Sequence, residues 1–81
     1  MQAEFIINGV SIKVEFQEKE TLEDIFPRFK SKYNKNLDIK SASFLYNGAI
    51  LETSIPLSKI ISHIDKENRK LCILVLDKNG F

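Results

Sequence analysis

Leu71–Leu76 reads LCILVL, six apolar residues without a polar break in a chain that is otherwise well mixed. Successive residues of a strand point to opposite faces, so this run places apolar side chains on both sides of a sheet. A strand buried on both faces also reads as continuous apolar sequence. The fold therefore turns on what covers each side, and the rest of the chain has to supply the covers.

The nearest candidate is TLEDIFPRFKSKYN, residues 21–34. Leu22, Ile25, Phe26, Phe29 and Tyr33 share one helical face by their i, i+3, i+4, i+7, i+11 spacing. Thr21 followed three residues later by Asp24 resembles a capping box with Asp in place of Glu. Pro27 removes one backbone donor and crowds the preceding turn, at about 3 kcal/mol in a regular helix interior, which predicts a kink or an irregular first turn. No second helix of comparable length follows. NKNLDIKSA reads as a connection, and ETSIPLSKIISHIDKENRK as loop with one short helical turn around residues 56–60, where proline suits a helix start.

Strands come from two turn signals. In EFIINGVSIKVEF, Asn8-Gly9 separates two alternating runs, and both residues tolerate the positive φ of a type I′ turn. Pairing Ile7 with Val10 puts Ala3, Phe5, Ile7, Val10, Ile12, Val14 and Phe16 on one side. Glu4, Ser11, Lys13 and Glu15 take the other, together with one apolar exception, Ile6. SFLYNGAIL repeats the logic at Asn47-Gly48, giving a strand, a turn and a short strand. The order is strand, strand, helix, strand, short strand, short turn, strand. One substantial helix gives one cover, so an α+β fold with an antiparallel or mixed sheet and the helix across a single face is expected.

Composition limits what such a domain does. A chain of 81 residues forms one domain with one core, and 43% apolar with 28% charged residues is ordinary for a globular protein. The longest apolar run, the six residues above, falls far short of the ~20 of a helical span. MQAEFIINGV has no basic segment ahead of its apolar residues and is not read as a signal peptide. A single cysteine excludes an internal disulfide and fits a reducing, cytoplasmic or nuclear setting. Net charge +1 argues against nucleic-acid binding. Arg28, Lys30, Lys32, Lys35 and Lys40 nevertheless cluster with only Asp38 among them, either as a docking place for an acidic partner or as a solvated face.

This ordered set of segments resembles the ubiquitin-like β-grasp family over nearly the whole chain. The resemblance rests on the hairpin FIINGVSIKVEF, the helix TLEDIFPRFKSKY, FLYNGAILE, PLSKI and LCILVL. It implies a single domain over 1–81, with a folded core over 1–76 and a flexible tail over 77–81. It also implies a final strand lying centrally, parallel to the first and beside the strand holding Leu45. With Phe44, Leu71 and Ile73 toward the helix, Leu45, Cys72 and Leu74 then face outward near Ile6.

The family's main recognition surface is an apolar patch on this open face. By position, Leu45 matches ubiquitin's central isoleucine, Leu74 its valine, Cys72 its histidine and Gly48 its turn glycine. Ile6, where ubiquitin has a lysine, partly replaces a hairpin-tip leucine that this shorter hairpin lacks. The expected partners are therefore proteins, either ubiquitin-binding-type modules or conjugation enzymes, met by a monomer. No nucleic acid, membrane, small-molecule ligand or cofactor is expected. Cover by the chain's own tail or loop is the competing reading of the patch.

Catalytic groups do not assemble. His63 is the single histidine and has no partners at metal-ligand spacing. Cys72 is flanked by leucine and isoleucine rather than by a base or cation that would activate it. The glycines Gly9, Gly48 and Gly80 are isolated and form no phosphate loop. Neither catalytic residues nor a metal site is therefore expected. Counted from Leu71, Gly80 stands at the family's conjugating glycine, with Phe81 as one residue to be trimmed, which implies a modifier precursor as the alternative to a noncovalent interaction domain. Asn79 in place of the first glycine, Ser43 and Leu76 in place of arginines, and Ala49 in place of a lysine depart from that pattern.

Overall fold

The computed structural model describes residues 1–33 and 36–77. The first hairpin consists of β1 (Gln2–Ile7) and β2 (Val10–Glu15). Helix α1 (Leu22–Tyr33) follows, and a 3-10 turn over Ile39–Ser41 leads into β3 (Ala42–Tyr46) and β4 (Ala49–Ile50). A second 3-10 turn, Leu57–Lys59, and a short helix α2 (His63–Asn68) precede β5 (Lys70–Asp77). The five strands form one sheet in the order β2-β1-β5-β3-β4. β5 is central, parallel to β1 and antiparallel to β3, as the family resemblance implies. It runs through Asp77, one residue past the expected core.

Both Asn-Gly pairs are type I′ corners. Asn8 and Gly9 have φ of 49° and 79°, and Asn47 and Gly48 have φ of 51° and 82°. Turns with this backbone twist match the twist of the strands they join. They fix the registers Ile7↔Val10 and Tyr46↔Ala49. The first register carries Ala3, Phe5, Ile7, Ile12, Val14 and Phe16 into the core, where Leu22, Ile25, Phe26 and Phe29 of α1 meet them. Val10 shares their side of the sheet but is 44% exposed. It ends an edge strand and has neighbours on one side only.

At the centre of the core, Phe29 lies with its ring 4.7 Å from Phe5 and 5.9 Å from Phe26, and it stacks on Tyr33 at 5.6 Å. Phe44 of β3 closes the group edge-on to Phe5 and Phe26. These tilted and edge-to-face arrangements suit the ring quadrupoles.

Two local expectations are corrected. Helix α1 runs unbroken through Pro27, whose ring is exposed. Its start is secured by the capping box, in which Asp24 N–H donates to Thr21 Oγ1 at 3.2 Å and Thr21 N–H donates to Asp24 Oδ2 at 3.0 Å. Glu23 N–H is also taken, by Thr53 O at 3.1 Å. The start is thus held by bonds that do not involve residue 27.

The second correction is α2, which falls in a stretch read as loop. Ser62 caps it by accepting from Asp65 N–H, and Arg69 ends it in the left-handed region at φ 58°. None of its residues is buried, so it carries no apolar periodicity to read. It is anchored instead by the buried Tyr46, whose hydroxyl accepts from Ser62 N–H at 3.0 Å and donates to the Asp65 carboxylate. Tyr46→Phe is expected to lower the unfolding free energy by roughly 1–3 kcal/mol, the cost of orphaning a part-buried charged group and a helix cap. Urea titration measures this. A change below about 0.5 kcal/mol, within the usual spread of neutral substitutions, would mean the network does not hold α2.

Candidate functional site

The open face of the sheet, opposite α1, is assembled by register. Ile6 of β1 pairs with Leu74 of β5, Leu74 pairs with Leu45 of β3, and Leu45 pairs with Ile50 of β4. Directly paired residues share a face, so these four side chains form one row across four strands. With neighbouring strands about 4.8 Å apart, the row is about 14 Å long. Leu76 lies two residues along β5 from Leu74, opposite Ser43.

The row is not covered by the described residues. Leu74 is 45%, Leu76 48% and Ile50 71% exposed, and Leu45 and Ile6 are partly so. Their core-facing neighbours Leu71, Ile73, Val75, Phe44 and Tyr46 are buried. This parity accounts for the unbroken LCILVL run: alternate residues fill the core, and the rest form the uncovered surface.

Of the residues singled out from the sequence, Ile6, Leu45 and Leu74 come together in the row. Gly48 sits at the exposed corner that links Leu45 to Ile50, in the positive-φ conformation that favours glycine. Cys72 is one step along β5 on the same face, opposite Glu4. At this end the surface turns polar, with a shallow hollow lined by Glu4, Lys13, Asp65, Lys70 and Cys72. Apolar groups with a charged border are the general anatomy of a recognition surface.

Ile50 and Leu76 belong to the surface and are absent from the set read from sequence. The signal for Ile50 was present. A two-residue turn at Asn47-Gly48 puts Ile50 opposite Leu45, by the rule that placed Val10 opposite Ile7. Gly80 and Phe81 lie outside the described residues.

The reactive side chains have ordinary surroundings. Desolvation by its neighbours, then the negative charges of Glu4 and Asp65, push the Cys72 thiol up, which keeps the thiolate scarce at neutral pH. His63 is exposed, with Nε2 3.0 Å from Glu67 Oε1 one helical turn on. Among the described residues no three His, Cys, Asp or Glu side chains are grouped to hold a metal ion.

A central β5 parallel to β1, a helix across one face and a β3–β4 hairpin at the far edge define the ubiquitin-like β-grasp fold. No protein-family model and no curated protein sequence matches the chain. Solved structures do match, 145 chains in all, so the architecture is common and does not by itself assign a function. One is the crystal structure of ATBAG1 in complex with HSP70, similar over 99% of this chain with a TM-score of 0.76 and 5% sequence identity. At that identity the likeness concerns the fold alone. The chain spans 41% of the length of that neighbour.

Proposed function

We infer that the chain is a ubiquitin-like protein-interaction domain, recognised noncovalently through Ile6, Leu45 and Leu74, with Gly48 and Cys72 at the margin. One observation carries this reading: the central strand of the sheet, ordinarily its most buried element, leaves Leu74 and Leu76 about half exposed. Burying one leucine completely is worth about 1.5–3 kcal/mol. Covering the exposed half of Leu74 or of Leu76 therefore offers a partner about half of that amount each. Its partners are proteins of the kind that bind ubiquitin. The neighbouring ATBAG1 structure, a complex with the protein HSP70, supports protein partners in general terms. The domain is a non-enzymatic adaptor in a reducing compartment, cytoplasmic or nuclear, which suits an exposed Cys72.

The test is a titration of isotope-labelled chain with a panel of isolated ubiquitin-binding modules. Amide shifts are expected to move at Ile6, Leu45, Ile50 and Leu74 and to stay fixed along α1. Movement confined to the α1 side would sink the proposal.

A second reading, a divergent modifier joined through Gly80, rests on the spacing of that glycine from β5. Removal of Phe81 is then expected to permit an ATP-dependent thioester with the activating enzyme of the source cell, abolished by deleting Gly80. Failure with every such enzyme leaves the noncovalent role.

A further inference from the structure

The sheet has two edges, and they differ. β4 is two residues long, too short to template another strand, whereas β2 presents six residues. Hydrogen bonding shows which groups of β2 face outward. Met1 and Phe16 exchange both bonds, the Met1 amine donating to Phe16 O at 3.0 Å and Phe16 N–H to Met1 O at 2.9 Å. Bonded pairs alternate along an antiparallel ladder, so Val10, Ile12 and Val14 also turn their polar groups toward β1. Ser11, Lys13 and Glu15 turn theirs away from the sheet.

Two of those three outward carbonyls are taken by cations of α1. Lys32 Nζ donates to Lys13 O at 2.6 Å, and Arg28 Nη1 donates to Glu15 O at 3.2 Å. The fit is metrical. Residues four apart on a helix are separated by about 6 Å along its axis, and alternate carbonyls of a strand by about 6.8 Å. Cations at i and i+4 on a helix running along β2 therefore meet successive outward acceptors. Arg28 is held in place from behind by Glu20, through bonds of 3.0 and 2.5 Å. That pairing also keeps the Glu20 carboxyl below its usual range. Farther along, Asn8 Nδ2 donates to Tyr33 OH at 3.3 Å, tying the end of the hairpin to the end of the helix.

Exposed bonds of this kind add little to folding stability, because water serves the same groups almost as well. Their effect falls on what else can use the acceptors. We propose that Arg28 and Lys32 form a clasp that closes the β2 edge to strand addition and so prevents two copies of this chain from pairing edge to edge.

The test compares the parent chain with Arg28→Met/Lys32→Met and with Lys32→Met alone. Methionine retains an aliphatic stem over the core but offers no donor. The double change takes net charge from +1 to −1, with ten basic residues left against 11 acidic, so repulsion between copies is unchanged in magnitude. At millimolar concentration the parent is expected to sediment as a monomer, with fast amide exchange at Ser11, Lys13 and Glu15. The double variant is expected to approach twice the monomer mass. Those three amides should slow by about tenfold, the factor reached when nine molecules in ten are edge-paired. A folded double variant that stays monomeric overturns the clasp, as does one that associates while these amides remain fast. If the double variant does not fold, Lys32→Met decides by the same measurements.

Discussion

Replacing Phe29 by alanine is expected to remove about 3–5 kcal/mol of folding free energy, a large share of the roughly 5–15 kcal/mol typical of a small domain. The ring is fully buried and touches aromatic groups from two layers, Phe5 in the sheet and Phe26 and Tyr33 in the helix. Its removal leaves a cavity between α1 and β1 that neither can collapse to fill, because each is held by its own hydrogen bonds. Phe29→Leu should cost less, since it restores most of the lost volume. Urea or thermal unfolding reads the difference. A loss under about 0.5 kcal/mol for the alanine variant is the range of ordinary surface changes and would be incompatible with the described packing of helix on sheet.

Leu74→Asp is expected to leave the domain folded and to weaken partner binding by at least 30-fold, equivalent to about 2 kcal/mol or more for a central interface residue. The reasoning compares two environments of one side chain. In the free protein Leu74 is 45% exposed, so a carboxylate there remains hydrated and the stability loss is about 1 kcal/mol, the span of strand propensities. In a complex, the same carboxylate would be stripped of water amid Ile6, Leu45 and Ile50 without a cation to answer it. Leu45→Asp should act alike from the neighbouring strand. Calorimetry against any module that shifts the patch amides measures the affinity, and circular dichroism checks the fold. Undiminished binding by a folded Leu74→Asp chain would remove the patch from consideration.

The parts of this molecule that were legible in its sequence are those where burial imposes a period. LCILVL alternates between core and open face because strand side chains must, and the Asn-Gly corners set register because few other pairs accept their φ values. The helical face of Leu22, Ile25, Phe26 and Phe29 was readable for the same reason. What escaped lacked a period or obeyed a local bond. Helix α2 buries nothing and is defined by Ser62, Asp65 and a distant tyrosine, which no pattern within residues 63–68 announces. Pro27 pointed to a kink or an irregular first turn, and the first turn is instead a regular one held by the Thr21–Asp24 capping box. At the site, Ile6, Leu45 and Leu74 followed from parity. Ile50 requires the turn rule to be carried across a two-residue strand, and Leu76 stands where the family resemblance places an arginine rather than a patch residue.

The pairing of β5 with β1 also governs how the chain is made. A ribosome delivers β1 first and β5 only after more than sixty further residues, yet neither the parallel ladder nor the central layer of the sheet exists until both are present. The first hairpin and α1 emerge early, but β3 has no neighbour on its β5 side until the last strand arrives. Contacts so distant in sequence slow the search for the native state, and a nascent chain with unpaired strands is open to association while it waits. Cooperative folding of this domain is thus timed by the emergence of residues 70–77 from the exit tunnel rather than by the appearance of its helix.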